Sequence, residues 1–247
     1  MKLVEILDPI DTSKQAQNIK DTIDNLVDVV KAKELGAGAY GVVYTNPNDP
    51  GTVTKVSRGM MLDDLERGGD AYLQYITELA KFRELTGNPY LPRIYSIKFY
   101  NDQRKDTKPW QRIKYVVELE KLQPLINQKL QQDQEGEHSY KAQVLAMADK
   151  MFSGFEEAFG KGSLYDITNR LVDQFKFHLG VERSSATNPE FQQLQIKDKN
   201  LKQAFDVLQR VKNQATKRHV FFDINAGNLM IRRTPYGLQL VITDPLA

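Results

Sequence analysis

Apolar residues recur at helical spacing early in the chain. Ile19, Ile23, Leu26, Val27 and Val30 fall on one face, which predicts an amphipathic helix over 13–33. Thr12 and Gln15 are placed to form its capping box. From Glu34 the pattern turns β-like. A Gly-rich turn leads into Val42-Val43-Tyr44, an Asn-Pro-Asn-Asp-Pro-Gly loop fills 46–51, and Val53-Thr54-Lys55-Val56 follows. Residues 57–69 read as a polar connection, 70–86 as a helix ended by Asn88-Pro89, and 91–99 and 113–119 as strands around a polar loop. Past Leu122 the pattern becomes helical, with candidates at 138–160 and 163–179 and a surface loop at 181–198. The cleanest stripe lies in 199–216: Leu201, Ala204, Phe205, Leu208, Val211 and Ala215 share one face with Lys212. Two short β-like runs, 229–231 and 238–242, then flank Thr234-Pro235-Tyr236-Gly237, whose Pro and Gly suit a type I turn.

A sheet with one inserted helix, followed by a helix-rich half, predicts an α+β fold in two lobes. The expected division is an N-terminal helical extension at 1–33, a sheet lobe at 34–120 and a mainly helical lobe at 121–247. A hinge is expected at Glu118–Lys121. At 247 residues and 40% hydrophobic content, the chain can bury a sizeable core. Net charge is only +2, from 34 basic and 32 acidic residues, which argues against direct nucleic-acid binding or an anionic membrane surface. No apolar run approaches the ~18 residues of a membrane span, and the N-terminus lacks a basic-then-apolar leader. The chain has no cysteine, so disulfides, thiolate metal sites and cysteine nucleophiles are excluded, and a reducing cytoplasm fits.

The chemistry-bearing residues occur in a definite order. Gly36-Ala37-Gly38-Ala39-Tyr40-Gly41 is a glycine-rich stretch whose last Gly precedes Val42, Val43 and Tyr44, which are strand formers. That context fits a flap between two strands, where bare backbone N–H groups can approach phosphates; the alternative is an ordinary hairpin turn. Lys55 lies in a β-like run and is a candidate phosphate ligand, or else a solvent-facing strand residue. Such a lysine needs an acidic partner on the following helix. Glu78 is the choice, because Tyr75, Phe82 and Leu85 share its stripe; Glu84 and Glu66 are rivals. Asp223 follows Phe221-Phe222, so an apolar approach delivers a carboxylate into a loop, as a general base requires. Five positions later Asn228 offers an amide oxygen to a divalent cation, and Asp244, beyond the hairpin, offers a charged one. Hard oxygen donors suit Mg²⁺. His138, His178 and His219 show no metal-ligand spacing and read as surface or structural residues. Trp110 reads as a local packing anchor, and Lys212, Lys217 and Arg218 as a solvated helix end.

Taken together these residues resemble the eukaryotic-like protein kinases, and within them the T7-type bacteriophage serine/threonine protein kinases. The resemblance is carried by Leu35-Gly36 through Tyr44, by Lys55-Val56, by Phe222-Asp223 with Gly227-Asn228 and Met230, and by Ile242-Thr243-Asp244-Pro245. It covers most of 34–247, with little match between about 125 and 198. It implies an enzyme that uses ATP and Mg²⁺ to phosphorylate host bacterial proteins, including transcription, RNA-processing and translation machinery, in the cytoplasm of an infected cell. By this resemblance Asp223, Lys55 and Glu78 are catalytic, Asn228 and Asp244 hold the metal, and the 36–41 flap with Val43 and Lys55 binds ATP. Val117, Glu118, Leu119 and Glu120 complete the nucleotide site, with hinge backbone bonds to adenine.

This sequence also departs from that family. Phe221 and Phe222 stand where protein kinases have His-Arg, Asn225 where they have Lys, and Pro245-Leu246 where they have Phe-Gly. The sequence ends three residues past Asp244, so the expectation is activity without a phosphorylated activation segment. Any autophosphorylation is expected on surface hydroxyls such as Ser184, Ser185 and Thr187. The Asp-x-x-x-Gly-Asn form is also similar to small-molecule phosphotransferases of the aminoglycoside type. A non-catalytic kinase-fold protein that docks onto a host factor is the remaining alternative.

Overall fold

The computed structural model describes residues 32–38, 40–61, 69–81, 87–101, 108, 113–126, 134–181, 192–215 and 220–246. The helix expected at 13–33 lies mostly outside them, as do Ala39, Glu66, Phe82, Glu84, Leu85, Trp110, Ser184, Ser185, Thr187, Lys217, Arg218 and His219. The described chain is a mixed α+β structure with two antiparallel sheets and five helices. It divides into two compact units, one from residues up to 80 plus 93–121, the other from 81–92 plus 122–247.

The first unit is built on a five-stranded sheet in the order β1-β2-β3-β5-β4. Its strands are β1 (Glu34–Ala37), β2 (Gly41–Thr45), β3 (Thr52–Ser57), β4 (Ile94–Asn101) and β5 (Ile113–Glu120). All pairings are antiparallel, with Val43 opposite Lys55 and Lys55 opposite Val117. Side chains alternate across a strand, so these three residues share one face. Helix α1 (Ala71–Lys81) starts where Asp70 caps it: Asp70 Oδ1 accepts the Leu73 N–H at 2.7 Å. The same carboxylate accepts the Tyr115 hydroxyl at 2.9 Å, so the cap also ties the helix to β5. Tyr72 stacks on Tyr115 with ring centroids 6.5 Å apart, and Leu73, Tyr75 and Ile76 are fully buried. The helix expected to reach 86 is described only to Lys81, and the strand expected at 91–99 runs later, over 94–101.

In the second unit β6 (Gln123–Pro124) pairs with β7 (Leu229–Thr234), which pairs with β8 (Gly237–Ile242). Pro235 cannot take the positive φ that the usual two-residue hairpin turns require at that position. Gly237, at φ 112°, absorbs the resulting mismatch with strand twist. Four helices accompany this sheet: α2 (Gln134–Met151), α3 (Phe155–Phe159), α4 (Leu164–His178) and α5 (Lys199–Ala215). The expected single helix over 138–160 is a correction. It starts earlier, stops at Met151, and turns at Gly154, whose φ of 73° is left-handed, before α3 begins. Ser163 and Asp166 form a reciprocal capping box at the start of α4, and Ser163's hydroxyl and N–H hold the Asp166 carboxyl below its ordinary range.

The helical core is aromatic. Phe152, Phe155 and Phe175 are fully buried, and Phe175 meets Phe205 edge-on at 5.1 Å. His178 stacks between Phe152 (5.6 Å) and Phe205 (6.1 Å), and its Nε2 lies 2.9 Å from the Leu194 carbonyl. The buried Gln174 side chain accepts the Leu194 N–H and donates to the Gln192 carbonyl, pinning the chain that leads into α5. Residues 87–92 precede β4 in sequence yet belong with this unit. Arg232 donates to the carbonyls of Pro89 and Leu91, Ile242 N–H donates to Tyr90 O, and Tyr90 donates to Asp198 at 2.8 Å. Burial first, then Asp198, pushes the Tyr90 hydroxyl far above its usual pKa.

Two predictions follow from this packing. Asp70→Ala removes both the cap and the Tyr115 acceptor and should cost about 1–2 kcal/mol, read as a lower midpoint in urea unfolding; an unchanged midpoint would contradict the cap. Burial lowers the His178 pKa below the ordinary value of about 6.5, partly offset by the Leu194 carbonyl. The unfolded chain therefore binds that proton more readily. Stability from this site is complete above about pH 6.5 and falls as pH drops through that value toward the lowered folded pKa. The stability difference between wild type and His178→Gln should shrink from pH 8 to pH 5. A pH-independent difference would rule the effect out.

Candidate functional site

In the first unit Gly36 lies in β1, Gly41 opens β2, and Gly38 stands between the two strands. Gly38 N–H donates to Gly41 O at 2.8 Å, and Arg58 donates from Nε to Gly38 O and from its backbone to Tyr40 O. Gly36 and Gly38 are exposed, with open space where a Cβ would stand. Gly41 is different. It is buried in β2, and a Cβ there would collide with the Val56 carbonyl oxygen. Two of the glycines therefore leave bare backbone on the surface, and the third permits close strand approach.

Lys55 is only 7% exposed, so it is not a solvent-facing strand residue. Its Nζ lies 3.2 Å from the centroid of the Tyr72 ring. A buried ammonium needs compensation for lost water, and the negative face of an aromatic ring supplies part of it. Sequence reasoning missed Tyr72. Its signal was available in the helical register, since Tyr72, Tyr75 and Ile76 recur on the face turned to the sheet. Glu78 lies half-buried on the same helix, and Val43 and Val117 flank Lys55 across the sheet.

The stretch expected as the hinge, Glu118–Lys121, closes β5, and the boundary between the two units follows Lys121. Glu118 pairs with Thr54 and Ser96, on the sheet face opposite Lys55, and its carboxylate accepts from Asn46 Nδ2 and Ser96 Oγ. β5 runs unbroken through Glu120. Glu120 N–H donates to Arg93 O at 3.1 Å, its carboxylate accepts the Arg93 N–H, and Lys121 N–H donates to Gly51 O. The N–H groups of Glu120 and Lys121 are thus committed within the sheet region. Val117 and Leu119 are buried apolar residues.

In the second unit Asp223 N–H donates to Pro245 O at 2.8 Å, and Phe222 bridges to Leu246. This pairing brings the residue after Asp244 beside Asp223. Exposure alternates along the approach: Phe221, Asp223 and Asn225 are exposed, Phe222 and Ile224 buried. Lys212 on α5 sets its Nζ 5.0 Å over the Phe222 ring, so it does more than end a solvated helix. Both carboxylate oxygens of Asp223 accept amide donors: Oδ1 from Asn225 Nδ2 at 3.0 Å, Oδ2 from Asn228 Nδ2 at 3.1 Å. Asn225 Oδ1 accepts the N–H groups of Gly227 and Asn228, an Asx turn that fixes the loop. With Asn228's nitrogen committed to Asp223, its Oδ1 is left as the acceptor end. Thr243 N–H and hydroxyl both reach Asn228 O, and Leu229 pairs with Ile242, so Asn228 and Asp244 lie near each other across the β7–β8 ladder. One carboxylate oxygen of Asp244, Oδ1, is buried. An amide oxygen and a carboxylate are the hard donors that fit Mg²⁺.

No family model matches the chain, and no curated protein matches it.

The glycine geometry gives a prediction. Gly41→Ala should destabilise by about 1–3 kcal/mol, because backbone must shift to admit the methyl group. Gly36→Ala and Gly38→Ala should change stability little. Equal unfolding midpoints for all three variants would contradict this geometry.

Proposed function

We propose that the chain is an ATP- and Mg²⁺-dependent serine/threonine protein kinase of two-lobed kinase-like fold, made by a bacteriophage and acting on host bacterial proteins in the cytoplasm. The observation that carries the reading is the Asp223 loop. An exposed carboxylate is oriented through both oxygens by Asn225 and Asn228, while Asn228 keeps its own oxygen for another partner. In this reading Asp223 accepts the proton of the acceptor hydroxyl as its oxygen bonds to the γ-phosphorus and the bond to the β-phosphate oxygen breaks, releasing ADP. Asn228 and Asp244 hold Mg²⁺, which supplies neutralisation of phosphate charge. Lys55, held against Tyr72 and steadied by Glu78, binds phosphates under the 36–41 flap, and Val43 and Val117 offer apolar contact to the base.

Both Asp223 oxygens are held by neutral amides, and among the described residues these are the donors that orient the group. Charge stabilisation of the phosphate then falls on Lys55 and the metal ligands, because Asn225 stands where protein kinases carry Lys.

The test is incubation with γ-labelled ATP and Mg²⁺, once with bacterial lysate and once with small hydroxyl-bearing metabolites and aminoglycosides. Labelled protein bands are expected; label only in small molecules would select the phosphotransferase alternative. Asp223→Asn should cut turnover about 10²-fold or more with little change in ATP affinity. Asp244→Asn and Lys55→Met should abolish transfer with the fold retained by circular dichroism. Near-wild-type turnover in these three variants would overturn the assignment.

A further inference from the structure

Phe221 is 61% exposed, while Phe222 beside it is buried. The segment alternates: Phe222 packs under Lys212 and bridges to Leu246, and Ile224 is buried, while Phe221, Asp223 and Asn225 face outward. The strand-like bridge of Phe222 to Leu246 and the alternating exposure put Phe221 and Asp223 on one face. Extended geometry then sets the Phe221 ring about 7 Å along the chain from Asp223.

We propose that Phe221 is a specificity-determining residue that contacts an apolar side chain of the acceptor protein, two positions from the phosphorylated Ser or Thr. The inference rests on Asp223 as the base. A hydroxyl within hydrogen-bond reach of Asp223 places the acceptor residue over that carboxylate. In an extended acceptor segment, the side chain on the same face as the hydroxyl belongs to the residue two positions away, about 7 Å distant. That spacing matches the ring. Burying an acceptor Leu, Ile or Met on an exposed phenyl face removes apolar area from water on both partners. A polar side chain there would lose water without gaining a hydrogen bond.

The experiment uses degenerate peptide pools with one fixed Ser and each flanking position scanned in turn, γ-labelled ATP and Mg²⁺, with wild type and Phe221→Ser. Wild type should prefer Leu, Ile or Met over Gln about tenfold in kcat/KM at one of the two positions two residues from Ser. Phe221→Ser should bring that ratio near one, mainly through KM, while its unfolding midpoint matches wild type because the ring is exposed. Labelling by wild type with no preference at these positions, or a preference that survives Phe221→Ser, would overturn this inference and leave the kinase reading standing. Absence of label in every pool, together with absence of labelled protein in lysate, would overturn both.

Discussion

The candidate site in the second unit hangs on one short pairing. Asp223 donates its N–H to Pro245 O, and Phe222 bridges to Leu246. Two segments some twenty residues apart are thereby zipped side by side, with the β7–β8 hairpin between them. A backbone bond of this kind contributes only about 1 kcal/mol. Its importance is geometric, because it places the exposed Asp223 carboxylate and the partly buried Asp244 carboxylate in one neighbourhood. The Asx turn at Asn225 then sets the orientation of Asp223, and the ladder from Leu229 to Ile242 sets the approach of Asn228 to Asp244.

Lys55 shows a second constraint of the same type. A lysine in a central strand would ordinarily extend to water. Here the sheet face on which it lies is covered by α1, and the ring of Tyr72 receives its ammonium group. The position of that helix is in turn held by Asp70, which caps it and accepts the Tyr115 hydroxyl at once. A chemical group is thus fixed by a cap, a ring stack and a strand register acting together, each modest in energy.

Much of this was legible in the sequence because it depends on local periodicity. The alternation in 41–45, 52–57 and 229–242 and the apolar stripe of 199–215 marked strands, hairpin and helix within a few residues. What was not legible depends on contacts distant in the chain. The break after Met151 had a local sign in Ser153-Gly154, yet the apolar pattern on either side masked it. The allegiance of residues 87–92 to the second unit rests on Arg232, Ile242 and Asp198, more than a hundred residues away. The same holds for the site. Asp223 and Asn228 could be picked out by spacing; Tyr72 left a trace in the helical register, but its contact with Lys55, like that of Lys212 with Phe222, is a product of packing. The end of the strand-rich region near Glu120 was legible, and the boundary between the two units lies there, at Lys121/Leu122; that Glu118 turns its side chain to the face opposite Lys55 follows from the β3–β5 register.

The most direct measurement is calorimetric titration of the protein with a non-hydrolysable ATP analogue, with and without Mg²⁺. Saturable binding that requires Mg²⁺ and is strongly weakened in Asp244→Asn is the expected result. Absence of nucleotide binding in Mg²⁺, or binding of equal strength in both proteins with and without the metal, would contradict it.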